Sequence, residues 1–101
     1  MKVEILYIED CPHYLPTLAR LRSVLHEEGV DAEVIKIEVK DASGAETLNF
    51  IGSPTILVDG LDIETGARNV PVAALACRRY PSGVPSETLM RAAVREAREK
   101  K

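Results

Sequence analysis

The chain reads as one α/β domain spanning residues 1–101, and three features predict it. Two strand-like segments bracket a helical one, an Asp-Gly turn joins two further strands, and a capped amphipathic segment closes the sequence. A chain of 101 residues buries a core without disulfide staples.

The first strand is expected from Lys2 to Ile8, with Val3, Ile5 and Tyr7 on one face and Leu6 and Ile8 on the other. A strand apolar on both faces belongs in the middle of a sheet covered by helices. From about Pro12 to Glu28 the period becomes helical. Tyr14, Leu18, Leu21 and Leu25 form the stripe, which Leu15 and Val24 widen. Pro12 suits a first helical position, but Pro16 removes a backbone donor in the second turn. Either the regular helix starts several residues after Cys11 or its first turn is kinked; Gly29 ends it.

Between Asp31 and Lys40, Ile35, Ile37 and Val39 alternate with charged residues, which predicts a strand near the sheet edge. It completes a βαβ unit, so it should run parallel to the first strand. Asp41 to Phe50 suggests a short helix. Thr55 to Val58 and Leu61 to Glu64 flank Asp59-Gly60, the preferred type I′ hairpin turn. Asn69 to Leu75 suggests a short helix and Arg78 to Val84 a loop. Ser86 is a good N-cap for a last helix with Leu89, Met90, Ala93, Val94 and Ala97 inward and a frayed tail from Arg98.

Composition excludes several classes. A net charge of −3 offers no basic field for nucleic acid, and the late arginines alternate with Glu96 and Glu99 as on a solvated helix face. The apolar run from Ile5 to Ile8 is too short for a signal core or a membrane span, so a cytoplasmic protein with no membrane partner is expected. In that reducing compartment Cys11 and Cys77 read as free thiols, catalytic groups or ligands. His13 and His26 alone, without a Cys-x-x-Cys pair, do not make a zinc site, and no Walker loop, dinucleotide fingerprint or nucleophile-elbow serine occurs.

Chemistry concentrates in Glu9-Asp10-Cys11-Pro12-His13-Tyr14. A cysteine where a helix begins meets backbone donors that favour thiolate, the nucleophilic form. A protonated His13 would add to this, whereas Glu9 and Asp10 oppose it unless they point to solvent. The alternative is that Cys11 is a small buried hydrophobe. Pro54 reads as a strand starter or as a cis proline that turns the backbone of Ser53 toward a substrate. Cys77, after Ala73-Ala-Leu-Ala, reads as core, as a resolving thiol, or with Cys11 as a ligand pair for a thiophilic ion such as mercury, copper or arsenic. Arg78 and Arg79 would favour thiolate or bind a glutathione carboxylate.

With Cys11 after the first strand and Pro54 before the third, the order of elements resembles the thioredoxin-like superfamily over nearly the whole chain. Cys11-Pro-His resembles the Cys-Pro-His-Cys of its bacterial disulfide-forming branch, but Tyr14 replaces the second cysteine, as in monothiol glutaredoxins. Phe50-Ile-Gly-Ser-Pro-Thr, Cys77-Arg and Gly83-Val-Pro are similar to small bacterial single-domain members. The resemblance implies a four-stranded mixed sheet with helices on both faces. It implies a thiol-disulfide oxidoreductase with Cys11 as nucleophile, Cys77 as a candidate resolving thiol, and Pro12, His13, Ser53, Pro54 and Arg78 around the substrate. No cofactor is implied beyond glutathione as co-substrate. The partner is a thiol or disulfide compound or protein. The remaining alternative is a thioredoxin-like scaffold without catalysis.

Overall fold

The computed structural model describes residues 1–48, 50–68, 78, 80 and 83–100. Among them lie the strands β1 (Lys2–Tyr7), β2 (Glu33–Glu38), β3 (Thr55–Val58) and β4 (Leu61–Asp62), and the helices α1 (Tyr14–Glu27), α2 (Ala42–Thr47) and α3 (Glu87–Glu99). The strands form one mixed sheet in the order β2-β1-β3-β4. β1 pairs in parallel with β2 and antiparallel with β3, and β3 pairs antiparallel with β4.

The two-sided apolar character of β1 is met by helices on both faces. Val3 and Ile5 join Ile56 and Val58 of β3 beneath Leu21, Val24 and Leu25 of α1 and Met90, Ala93 and Val94 of α3. Leu6 faces the other way, into a smaller cluster with Val39, Ala45 of α2 and Phe50. Each fully buried Leu, Ile or Phe in these clusters stabilises by about 1.5–3 kcal/mol, against about 0–1 kcal/mol for an exposed ion pair, so the two clusters decide the fold.

Local chemistry sets the boundaries. Asp59 and Gly60 both take positive φ, +48° and +86°, as a type I′ turn requires. The Asp41 side chain caps α2 by accepting from the Gly44 N–H at 2.7 Å, and Ser86 caps α3 by accepting from the Leu89 N–H at 3.1 Å. Gly29, at φ +63°, ends α1 in a Schellman arrangement: its N–H donates to the His26 carbonyl and the Val30 N–H to the Leu25 carbonyl.

Three expectations are corrected. Leu15 is 69% exposed and outside the apolar stripe, because Thr17 takes the inward position and residues two apart point about 200° away from each other on a helix. β4 stops at Asp62, whose carboxylate accepts from the Glu64 N–H at 2.9 Å and turns the chain out of the sheet. Residues 65–67 then form a 3₁₀ turn that sequence reasoning missed. The end of α3 is tied down. Arg98 donates to the Glu28 carbonyl at 2.9 Å, and Arg91, Arg95 and Arg98 all reach the Glu28 carboxylate. The short helix expected over 69–75 lies outside the described residues. No described helix is long and apolar enough to cross a membrane.

The arginine cluster has a pH signature. The Arg95 hydrogen bond, with the charges of Arg98 and Arg91, holds the Glu28 carboxyl below its ordinary value despite partial desolvation. A depressed carboxylate contributes stability above the ordinary range, about pH 4.3, and loses it as pH falls through the folded value. Urea denaturation of wild type and Glu28→Gln should therefore show a stability gap near neutral pH that closes toward about pH 3 and narrows in high salt.

Candidate functional site

β1 ends at Tyr7 and the chain turns sharply. The Cys11 N–H donates to the Ile8 carbonyl at 3.1 Å, so Ile8 to Cys11 form a tight turn with Glu9 and Asp10 on its exposed outer side. The regular helix starts three residues after Cys11, at Tyr14, with His13 as N-cap and no side-chain cap. Of the two arrangements Pro16 allowed, the delayed start is the one adopted. It also limits the donors available to an anion. The Tyr14 N–H goes to the Cys11 carbonyl at 3.4 Å, Pro16 has none, and the Thr17 N–H goes to the His13 carbonyl at 3.1 Å. Among the described residues this leaves the His13 and Leu15 N–H groups without a partner at the head of the helix.

The expectation of a thiol open to solvent where a helix begins is corrected: Cys11 is a free cysteine but buried, 8% exposed, in the turn that precedes the helix. Pro12 is exposed and His13 half-buried. The imidazole lies against Gly83. A Cβ built there would fall 2.5 Å from His13 Cε1 and 2.9 Å from each ring nitrogen. Gly83 also has φ +76°, so backbone and space both demand glycine. Tyr7 and Tyr14 stack with centroids 3.7 Å apart, and burial with the neighbouring Tyr7 raises the Tyr14 phenol above its ordinary value.

The second half of the site is the start of β3. The Ser53–Pro54 peptide bond is cis. Ser53 is 0% exposed, and its Oγ accepts from the Ile8 N–H at 3.2 Å, tying the cysteine turn to this loop. Its carbonyl accepts from the Arg78 N–H at 2.9 Å. Of the Ser53 backbone groups expected to meet a substrate, the carbonyl is thus used within the chain.

Arg78 also departs from its expected role. Its guanidinium faces inward, forming a fork with the Asp62 carboxylate at 2.7 and 3.3 Å, and both side chains are only 6% exposed. It also donates to Glu64 and, at 3.4 Å, to Thr55 Oγ1, and it lies 4.8 Å from the centre of the Tyr80 ring. Burial works against its charge, but the Asp62 hydrogen bonds and the surrounding negative groups outweigh this and raise its pKa. A guanidinium so engaged is a structural ion pair rather than a free carboxylate receptor. The Tyr80 hydroxyl donates to the Pro54 carbonyl at 3.1 Å, and burial pushes the phenol far above its ordinary value. Cys77 and Arg79 lie outside the described residues.

Asp62, Glu64 and Thr55 carry no site role in the sequence reading, and Tyr80, read there as a core or rim aromatic, is buried at 6% exposure. The only signal in the sequence is an Asp and a Glu two apart after a hairpin turn, with no mark of the arginine they meet. A cleft of about 450 Å³ adjoins the cysteine turn, lined by Ile8, Glu9, Asp10, Glu38, Val39 and Lys40. It opens at the carboxyl ends of the parallel pair β1 and β2, where ligands of open α/β sheets bind. Among the described residues no group of three or more His, Cys, Asp and Glu could hold a metal ion. Comparison with family models, curated proteins and solved structures yields no match to this chain.

Two substitutions test this geometry. Removing one partner of a buried ion pair strands the other charge, so Asp62→Ala should cost about 3–5 kcal/mol in urea denaturation. Gly83→Ala should cost about 1 kcal/mol or more and shift the His13 ring resonances in NMR spectra, because the new methyl enters the imidazole's space.

Proposed function

We propose that this chain is a thioredoxin-like thiol-redox protein in which Cys11 is the nucleophile. The observation that carries the reading is the Ile8 N–H to Ser53 Oγ hydrogen bond. It joins the turn holding Cys11 to the proline-containing loop entering β3, at one end of the sheet. The strand order β2-β1-β3-β4, with α1 and α3 on one face and α2 on the other, is compatible with that superfamily.

The chemistry is a thiol exchange. The Cys11 thiolate attacks the glutathione sulfur of a mixed disulfide, the old S–S bond breaks as the new one forms, and the released thiolate takes a proton from water. A second glutathione thiolate then attacks the Cys11-bound glutathione, yielding glutathione disulfide and restoring the Cys11 thiolate. One free glutathione is consumed per cycle, its sulfur pairing with the glutathione released from the mixed disulfide, so one disulfide is lost and one is formed. Tyr14 at the place of a second cysteine suits this monothiol cycle. His13, half-buried against Gly83 beside the turn, is positioned by packing rather than by an ionic partner among the described residues.

Turnover of a glutathione mixed disulfide should be measurable in wild type and fall by about a hundredfold or more in Cys11→Ser, whose hydroxyl is a far poorer nucleophile. Equal rates in the two proteins would remove Cys11 from the reaction and leave a non-catalytic scaffold.

A further inference from the structure

Ser53, Pro54 and Thr55 each receive a hydrogen bond from one of two residues more than twenty positions later. The Arg78 N–H takes the Ser53 carbonyl, the Tyr80 hydroxyl takes the Pro54 carbonyl, and Arg78 Nη1 reaches Thr55 Oγ1. Thr55 Oγ1 itself donates to the Gly52 carbonyl at 2.5 Å. Pro54 has no N–H to offer. The two carbonyls and the threonine hydroxyl with which this loop could greet an incoming chain are therefore engaged.

A polypeptide lying extended along this loop would have to pair its own N–H and C=O groups, as strand-adding ligands do. A carbonyl oxygen keeps a second lone pair. Here it is out of reach, because Ser53 is 0% exposed and Pro54 is fully buried. Arg78, which takes the Ser53 carbonyl and lies 4.8 Å from the centre of the Tyr80 ring, is anchored by its fork to Asp62, whose charges lie in the interior. A low-molecular-weight disulfide needs no main-chain edge; it needs only to bring a sulfur to Cys11.

We infer that Arg78 and Tyr80 close the backbone edge beside Cys11, making the site selective for low-molecular-weight disulfides over extended polypeptides. This rests on the thiol-redox reading, and it assigns that site a substrate class. Asp62 and Tyr80 are positioning residues in it, acting through the loop rather than on the sulfur.

The test uses the full chain carrying Cys77→Ser, so that a single thiol reports, and measures stoichiometric exchange rather than turnover. Two thionitrobenzoate mixed disulfides serve as probes: one of 2-mercaptoethanol, one of an unstructured octapeptide with a central cysteine. Each rate is divided by that of the urea-unfolded chain. The small probe should then react about tenfold faster than the peptide. Tyr80→Phe should raise the peptide rate about fivefold while changing the small-probe rate less than about twofold. Asp62→Asn, if folded, should do the same. Equal normalised rates in the parent chain, or variants that lift both rates alike, would overturn the inference and leave the thiol-redox reading intact. No reaction with either probe in the folded chain would overturn both.

Discussion

The structure turns on β1 being buried on both faces and hydrogen-bonded along both edges. Val3 and Ile5 require α1 and α3 above them, and Leu6 requires α2 and Phe50 below. A strand constrained in this way has one freedom left, the direction in which the chain leaves it. The turn at Ile8 to Cys11 takes that direction, and the Ile8 N–H, freed from the sheet ladder, finds Ser53 Oγ instead. Two loops distant in sequence are thereby brought together by one side-chain hydroxyl. The same packing that stabilises the domain sets the place of Cys11.

Around that sulfur the chain spends polar groups on itself. Pro16 and the delayed helix start leave few donors at the head of α1, while Arg78 and Tyr80 take up the carbonyls of Ser53 and Pro54. The Arg78–Asp62 fork resolves an otherwise costly burial of charge by pairing, with Glu64, Thr55 and the Tyr80 ring completing the shell. Such an arrangement fixes one geometry for the loop beside Cys11. The result is a covered thiol near a loop whose carbonyls are already engaged.

What could be read from the sequence was what local chemistry or periodicity encodes. The Asp59-Gly60 turn, the Asp41 and Ser86 ends of α2 and α3, and the Gly29 terminator follow from residues within four positions of one another. The core faces of β1 and α3 follow from their repeat. The placement of Cys11 after β1 and of the cis Ser53–Pro54 bond before β3 was expected on resemblance. Arg78 shows where such reading stops. Its partners Asp62 and Glu64 lie 16 and 14 positions away, and no local pattern distinguishes a buried arginine from a solvated one. Thr17 is similar. It is a polar residue in the core-facing row of α1, its hydroxyl without a hydrogen-bond partner among the described residues, and it displaced Leu15 from the expected stripe.

A nucleophilic Cys11 must stay chemically available although the fold covers most of it. The most direct measurement is the iodoacetamide alkylation rate of Cys11, at neutral pH, in the folded chain carrying Cys77→Ser and in the same chain unfolded by urea. A thiol held for reaction should alkylate in the folded state at least as fast as in the unfolded one. Suppression by about a hundredfold or more on folding would contradict the account, because the cysteine would then be a piece of the core.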